Sequence, residues 1–352
     1  MSKQNNNVAK ACWVLPNLTH YHVARALACR DKELLNMEML QLWDSDSDFP
    51  QLQANHNEEI FVWTALPGKS ERDSTKKDII RQTWAALNNI APDIVFASGW
   101  SHICALIAIL WSEIHKRPVV ILSESNAHDW KRIKLKEIFK RNILSGISGG
   151  IVGGKNAQEY LKTLIPQGTP IFQGYDVIDN DHFNADKLKP DALEHDLPTV
   201  KSPYFIAVAR LTEKKNHKKL LEAYSIYRKR IGCCAWPLVF VGAGPLLEDL
   251  KQAAEENGSE QSVVFVGAQS YELMPYWYYY AGCLVHVSVR EEWGLVVNEA
   301  MAASLPVIVS DGCGCADDLV SDGENGYVVS ATHAEEIADR MCKITYGPWK
   351  KM

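Results

Sequence analysis

The stretch Leu284-Val-His-Val287-Ser288-Val-Arg-Glu291-Glu292-Trp293-Gly294-Leu295-Val296-Val297-Asn298-Glu299-Ala300-Met301 reads as one strand, one loop and one helix. Leu284–Val287 is a short, unbroken apolar run, the pattern of a strand covered on both faces. Helical spacing starts after Gly294 and continues to Ala303. The same alternation repeats outward. Strand-like runs follow at Val307–Val309 and Tyr327–Val329 and precede at Tyr204–Val208, Leu238–Val241 and Val263–Val266. The helical stretches Lys218–Arg230 and Leu246–Asn257 lie between them. This order predicts parallel strands joined by crossover helices.

The first half repeats the plan. Its strand-like runs are Ala11–Leu15, Met37–Trp43, Ile60–Ala65, Ile94–Ala97, Val119–Leu122 and Gly150–Val152, interleaved with amphipathic Lys76–Leu87, Ile103–His115 and Asn156–Leu164. Between the halves, Gln173 to Val200 is rich in Asp, Asn and Pro and lacks periodicity, so the boundary falls there. We assign residues 1–183 and 184–352 to two domains, and 352 residues suit two domains of roughly 150 each. The expected class is α/β, with two Rossmann-like, doubly wound domains facing a cleft. Ligands of such folds bind beyond the carboxyl ends of the strands.

A composition of 47% hydrophobic and 23% charged residues is that of a globular chain. A net charge of −6 argues against nucleic acid as partner. The nine cysteines are odd in number and show no repeated Cys-x-x-Cys spacing, so they read as reduced thiols. The longest apolar run, Ile103–Trp111, is cut off by Ser112, Glu113 and His115, far short of the roughly 20 residues that span a bilayer. Met1–Lys10 is polar and has no apolar secretory core. A cytoplasmic protein is expected.

Chemistry concentrates between Arg210 and Glu299. Arg210 and Lys215 flank a strand-to-helix junction, where two lasting positive charges suit a diphosphate. An isolated pair of this kind equally marks a solvated helix start. Gly242-Ala-Gly244-Pro245 follows a strand and permits close backbone approach, but lacks the third glycine of a dinucleotide fingerprint, and a plain turn explains it as well. Seven residues separate Glu291 from Glu299, which places Glu299 roughly 7 Å along a helix that begins near Gly294. Amides at such a helix start attract phosphate. One carboxylate can then accept hydroxyls on each side of a diphosphate, the layout of a nucleotide sugar. Taken alone, two glutamates so spaced are ordinary surface residues.

In this order, Arg210…Lys215, Gly242-x-Gly244-Pro245, Glu291-x7-Glu299 and Pro306-Val-Ile-Val-Ser310 resemble the retaining glycosyltransferases of family four, which have the GT-B fold. The resemblance covers about residues 204–329. It implies that Arg210 and Lys215 hold the diphosphate, that Glu291 and the loop Glu292, Trp293, Gly294, Leu295, Val296 hold the donor sugar, and that Glu299 holds the ribose. Gly242 and Gly244 would border the donor, and Gly267 and Ala268 would meet the nucleobase. In the first half, His20-Tyr-His-Val-Ala-Arg25 resembles the loop and helix that approach the donor, and Gly174-Tyr-Asp176 the stretch before the interdomain linker. Where many relatives place a histidine after the Val119–Leu122 strand, this chain offers Glu124 or His128. Relatives usually continue into a helix crossing back to the first domain. Here the sequence ends at Met352, and that helix is expected to be missing or short.

Three further sets of residues each admit a functional and a plainer reading. Asp44-Ser-Asp46-Ser-Asp48 contains a D-x-D, but Phe49 and Asn55 break the calcium-loop pattern, and it reads as a polar connector. Cys283 and His286 lie in a strand-like run and read as packed side chains, and no metal site is expected. Asp129–Leu144 carries six basic residues (Lys131, Arg132, Lys134, Lys136, Lys140, Arg141) against two acidic ones, with an apolar stripe at Leu135, Ile138 and Phe139. It is either a solvated helix or a surface for anionic lipid, which would hold the protein on the inner face of a membrane.

The expectation is a metal-independent hexosyltransferase that retains anomeric configuration. It would use a nucleoside diphosphate sugar (a uridine diphosphate sugar foremost), need no cofactor, and act on a hydroxyl of a glycan, lipid-linked or small acceptor. A nucleotide-sugar-binding protein without transfer and a GT-B sugar-nucleotide epimerase are the alternatives.

Overall fold

The computed structural model describes residues 8–32, 34–43, 61–70, 73–127, 132–188, 200 and 203–347. They form two compact units, Met1–Val177 and Ile178–Met352. In the first, strands β1 (Lys10–Leu15), β2 (Asn36–Gln41), β3 (Phe61–Thr64), β4 (Ile94–Ser98), β5 (Val119–Ser123), β6 (Gly149–Val152) and β7 (Ile171–Gln173) form one sheet. Its helices are α1 (His20–Asp31), α2 (Lys76–Ile90), α3 (Ile103–Ile114), α4 (Lys134–Ile143) and α5 (Lys155–Lys162). The second unit opens with α6 (Asn180–Phe183) and has strands β8 (Phe205–Val208), β9 (Leu238–Val241), β10 (Val263–Phe265), β11 (Cys283–His286), β12 (Val307–Ser310) and β13 (Gly326–Val329). Its other helices are α7 (His217–Ile231), α8 (Leu247–Glu256), α9 (Met274–Tyr280), α10 (Leu295–Ala302), α11 (Ala316–Leu319) and α12 (Ala334–Tyr346).

Both sheets are parallel, in the orders β3-β2-β1-β4-β5-β6-β7 and β10-β9-β8-β11-β12-β13. Apolar runs only four or five residues long suffice because each sheet is covered on both faces. Cys12 and Val14 enter one apolar cluster of the first unit while Trp13 and Leu15 enter the other. In the second unit Phe205 and Ala207 face one layer, Tyr204 and Ile206 the opposite one. This is the period-two alternation of a strand buried on both sides. Each sheet reverses its order once, at β1/β4 and at β8/β11. Loops leaving the carboxyl ends of such a pair diverge and open a crevice.

The expected α/β class and paired Rossmann-like units are what the chain adopts, with two differences in boundaries and elements. The units divide after Val177, not after residue 183, because α6 packs on α9 and α10. Phe183 is fully buried there, 5.6 Å from the ring of Tyr271 and 6.0 Å from that of Tyr278. The edge strand β7 lies partly in the stretch read as loose; it is three residues long and exposes Phe172. A helix also follows the last strand: α12 packs on α7 of its own unit and buries Ile337, Met341 and Ile344. Residues 348–352, His128 and the Asp44–Asp48 stretch lie outside the described residues. None of the nine cysteines is paired.

Candidate functional site

The crevice at β8/β11 gathers the charged residues singled out in the sequence. After β8 the chain makes a short turn, Glu213–Lys215, and enters α7 through Asn216 in the left-handed region at φ 62°. Asn216 Nδ2 donates to the carbonyls of Val287 (3.0 Å) and Ala331 (2.7 Å), tying this turn to β11 and to the loop after β13. The Val289 amide donates to Lys214 O at 2.9 Å. His217 Nε2 donates to Arg210 O at 3.0 Å, and burial brings its imidazole down to about 4, so it serves as a neutral donor. Lys215 is thus set by backbone and by the side chains of Asn216 and His217 at the start of α7.

Lys215 Nζ pairs with Glu291 Oε2. His286 Nε2 lies 3.8 Å from the same oxygen, and Ser288 Oγ donates to it at 3.4 Å. Little water reaches the group: the side chains of Lys215, Glu291 and His286 are 11%, 14% and 4% exposed. Burial pulls the His286 imidazole down, but the neighbouring Cys313 sulfur and the Glu291 carboxylate outweigh it and raise it to about 9. Burial likewise pushes Glu291 up, and His286 and Lys215 together hold it well below the usual carboxylate range. The resting group is two cations around one anion.

Glycines let the loops close on one another. The Glu291 amide donates to Gly312 O and Glu291 O accepts from the Gly314 amide, both at 2.9 Å. A Cβ on Gly312 would run into the carbonyls of Ser288 and Val289, and one on Gly314 into that of Glu292. Likewise Gly242 abuts the Ala209 carbonyl and Gly244 the backbone of Leu211, while the Gly242 amide donates to Gly267 O at 2.8 Å. The two glycines therefore seat one strand-end loop on another. Gly294 starts α10 at φ 109°, and a Cβ there would lie 3.6 Å from Cys315 Sγ, Glu291 Cγ and His286 Nε2.

The remaining expected residues separate by depth. Arg210 and Ala268 are exposed; Glu292, Leu295, Val296 and Gly267 are half-buried, and Lys214 Nζ stands 3.7 Å from Glu292 Oε2. Glu299 is 3% exposed and accepts a 2.7 Å hydrogen bond from Tyr278 of α9. Trp293, expected to flank a sugar, instead packs into the apolar layer under α10 and donates to Asn298 Oδ1 at 2.9 Å. Its bulk is paid back by burial, and only its backbone reaches the loop, where its carbonyl accepts from Cys315 N. Among the described residues no group of three or more His, Cys, Asp or Glu is placed to hold a metal.

His20 and Glu124 belong to the first unit. His20 begins α1 behind β1, and Glu124 follows β5, both at carboxyl ends of strands. Glu124 acts on Asp176, which burial and that neighbour push well above the usual carboxylate range. Arg25 stands 4.0 Å from Asp176 and over the ring of Tyr175. The sequence reading missed Asn216, His217, Gly312, Gly314 and Tyr278, and took His286 for packing alone. A histidine inside an otherwise apolar central strand was the available signal for the last.

Residues 192–350 match the family model for glycosyl transferases group 1. Over 142 residues the chain is 32% identical to a glycosyltransferase designated EpsD of Bacillus subtilis, covering 40% of this chain and 35% of that one. Over 174 residues it is 28% identical to a GDP-mannose-dependent α-(1-6)-phosphatidylinositol monomannoside mannosyltransferase of Mycobacterium tuberculosis, covering 47% and 44%. These matches span less than half of the curated relatives. The fold as a whole is similar to sucrose-phosphate synthase from Thermosynechococcus elongatus (TM-score 0.72, 17% identity, 97% of this chain and 91% of that one). It is also similar to Anabaena HepE in complex with UDP and glucose (TM-score 0.71, 18% identity, 97% and 91%). The resemblance read from Arg210 to Ser310 therefore holds: the chain has the GT-B fold, and its residues 192–350 match the glycosyl transferases group 1 family.

Proposed function

We propose that the protein is a retaining glycosyltransferase that moves a hexosyl group from a nucleoside diphosphate sugar to a hydroxyl acceptor. The observation that carries this reading is the Lys215–Glu291–His286 group at the strand-order reversal, beside the start of α10. In the transition state, positive charge grows on the sugar and negative charge on the departing diphosphate. Two cations around one carboxylate give the Lys215–Glu291–His286 group an excess positive charge, which with Arg210 suits the diphosphate. The first amides of α10 have no partners within the helix and suit the same oxygens. Fixed cations can supply the stabilisation that a divalent ion supplies elsewhere, so the reaction is written without metal and without a cofactor.

The bond from the anomeric carbon to the diphosphate oxygen breaks, the acceptor oxygen bonds on the same face, and the acceptor's proton passes to the leaving diphosphate. Glu291 and the loop through Val296 would hold the sugar, Glu299 the ribose, and Gly267 with Ala268 the base. His20 is proposed to approach the donor, and Glu124 or His128 to contact its sugar. Relatives named as using a phosphatidylinositol mannoside or a diphospho-undecaprenol-linked sugar support a lipid-linked acceptor. Structures of HepE with UDP-glucose support a uridine diphosphate donor.

The test is a thermal-shift screen of uridine and guanosine diphosphate sugars, followed by product analysis with each stabilising donor. Stabilisation should grow with the logarithm of donor concentration above Kd. A donor that stabilises the wild type but not Lys215→Ala, and is turned over with retained configuration, is the expected result. No stabilisation by any such donor would end the proposal, and binding without product would reduce the protein to a nucleotide-sugar binder.

A further inference from the structure

Helix α4 is amphipathic the wrong way round. A helix lying on a sheet normally turns its apolar stripe inward. Here no residue of α4 is fully buried; only Ile143, at its end, packs on the apolar cluster, and the contacts of the helix body are polar. Lys140 Nζ and Glu137 Oε2 bond the Tyr160 hydroxyl of α5 at 2.7 and 2.8 Å, and Lys140 bonds Glu137 at 2.8 Å. Arg132, just ahead of the helix, donates to the same hydroxyl at 2.9 Å and lies 4.0 Å over its ring. The opposite face carries Leu135, Ile138 and Phe139, which are 76%, 53% and 64% exposed. At 100° per residue, Leu135, Ile138 and Phe139 share one sector; Lys134 and Arg141 edge one side of it and Lys136 the other, all three exposed.

We propose that this face docks on an anionic lipid bilayer, with the apolar stripe at the acyl boundary and Lys134, Lys136 and Arg141 among the headgroup phosphates. A plane of acyl chains edged by anions matches an outward apolar stripe flanked on both sides by cations, and it is the occupant the charge pattern selects. The polar clasp on Tyr160 fixes the helix with its apolar side out, so docking requires no refolding. The inference rests on α4 alone and is independent of the transfer reaction.

The experiment is co-sedimentation of the full chain with vesicles of phosphatidylglycerol and phosphatidylcholine, and with phosphatidylcholine alone, at low and at high salt. Binding to the mixed vesicles that salt releases, and little to the neutral ones, is expected. With ~1 kcal/mol per cation near such a surface, replacing Lys134, Lys136 and Arg141 by Gln should cut partition about a hundredfold. Leu135→Asn with Phe139→Asn should abolish it. All five side chains are exposed, so circular dichroism should stay at the wild-type value; melting should fall only slightly, through the 2.9 Å bond from Arg141 Nε to Thr163 O that the Gln variant gives up. Absence of binding at low salt, equal binding to neutral vesicles, or a dimer that Phe139→Asn converts to monomer would each overturn the proposal; the last would assign the face to a second copy of the chain.

Discussion

His286 Nε2 and Glu291 Oε2 lie 3.8 Å apart in a pocket almost closed to water, one on the last residue of β11 and the other in the loop that follows. A cation is therefore built into the strand, beneath the carboxylate proposed to hold the sugar. It offsets an anion that would otherwise draw on Lys215.

Replacement of His286 by Asn keeps a polar side chain and removes the charge. Turnover should fall about tenfold to a hundredfold, with a smaller change in donor KM, because the loss is felt as the diphosphate charge develops. The pH dependence of stability follows in sign. A group raised in the folded state stabilises while protonated, so the His286 contribution is complete below its ordinary 6.5, shrinks as pH rises, and is gone above about 9. Glu291 is held below its ordinary 4.5 and contributes above that value, losing its share in acid. Urea midpoints of wild type and His286→Asn should differ most near pH 6 and converge at about pH 10.

Lys215→Ala and Arg210→Ala should each lower turnover by about a hundredfold or more, the usual effect of removing a charge aimed at a transition state. Full turnover in either variant would withdraw that residue from the diphosphate. Lys215→Ala also leaves Glu291 with one cation fewer, so its melting temperature should drop, whereas that of exposed Arg210→Ala should stay close to wild type.

The glycines separate into two grades. Gly242→Ala and Gly244→Ala drive a methyl into the backbone of Ala209 and Leu211, which cannot yield without parting β8 from β9. Gly267→Ala, at φ 74° with nothing within 4 Å, carries only a conformational cost of about 1 kcal/mol. Urea unfolding should rank the first two well below the third.

Tyr278→Phe removes the donor to buried Glu299 while preserving the ring. Leaving a buried acceptor short of a partner costs about 1–3 kcal/mol. The variant should melt at a lower temperature and, if Glu299 meets the ribose, show a raised donor KM with kcat nearly unchanged.

The fold was legible because two-faced burial writes strands as unbroken apolar runs, as at Leu284–Val287, and separates them by helical spacing. The Glu291-x7-Glu299 interval was legible as loop plus helix because Gly294 marks the junction. What escaped depended on contacts between distant segments. His286 looks like packing until Glu291 is folded over it, and the roles of Gly312 and Gly314 arise only where the loop after β12 touches the loop after β11. The burial of the Trp293 ring was equally hidden, because only the packing of α10 turns that side chain into the apolar layer. Strand β7 and α6 were missed because three- and four-residue elements carry no periodicity.

Phe183 fills a space between α9 and α10 from a helix that precedes every strand of the second sheet. A fragment beginning at residue 184 would open an aromatic-sized hole beside Tyr271 and Tyr278 and shed His182, whose imidazole stacks 4.0 Å from the Tyr271 ring. Anyone excising or grafting the second unit should cut upstream of Ile178, which also packs on that apolar layer.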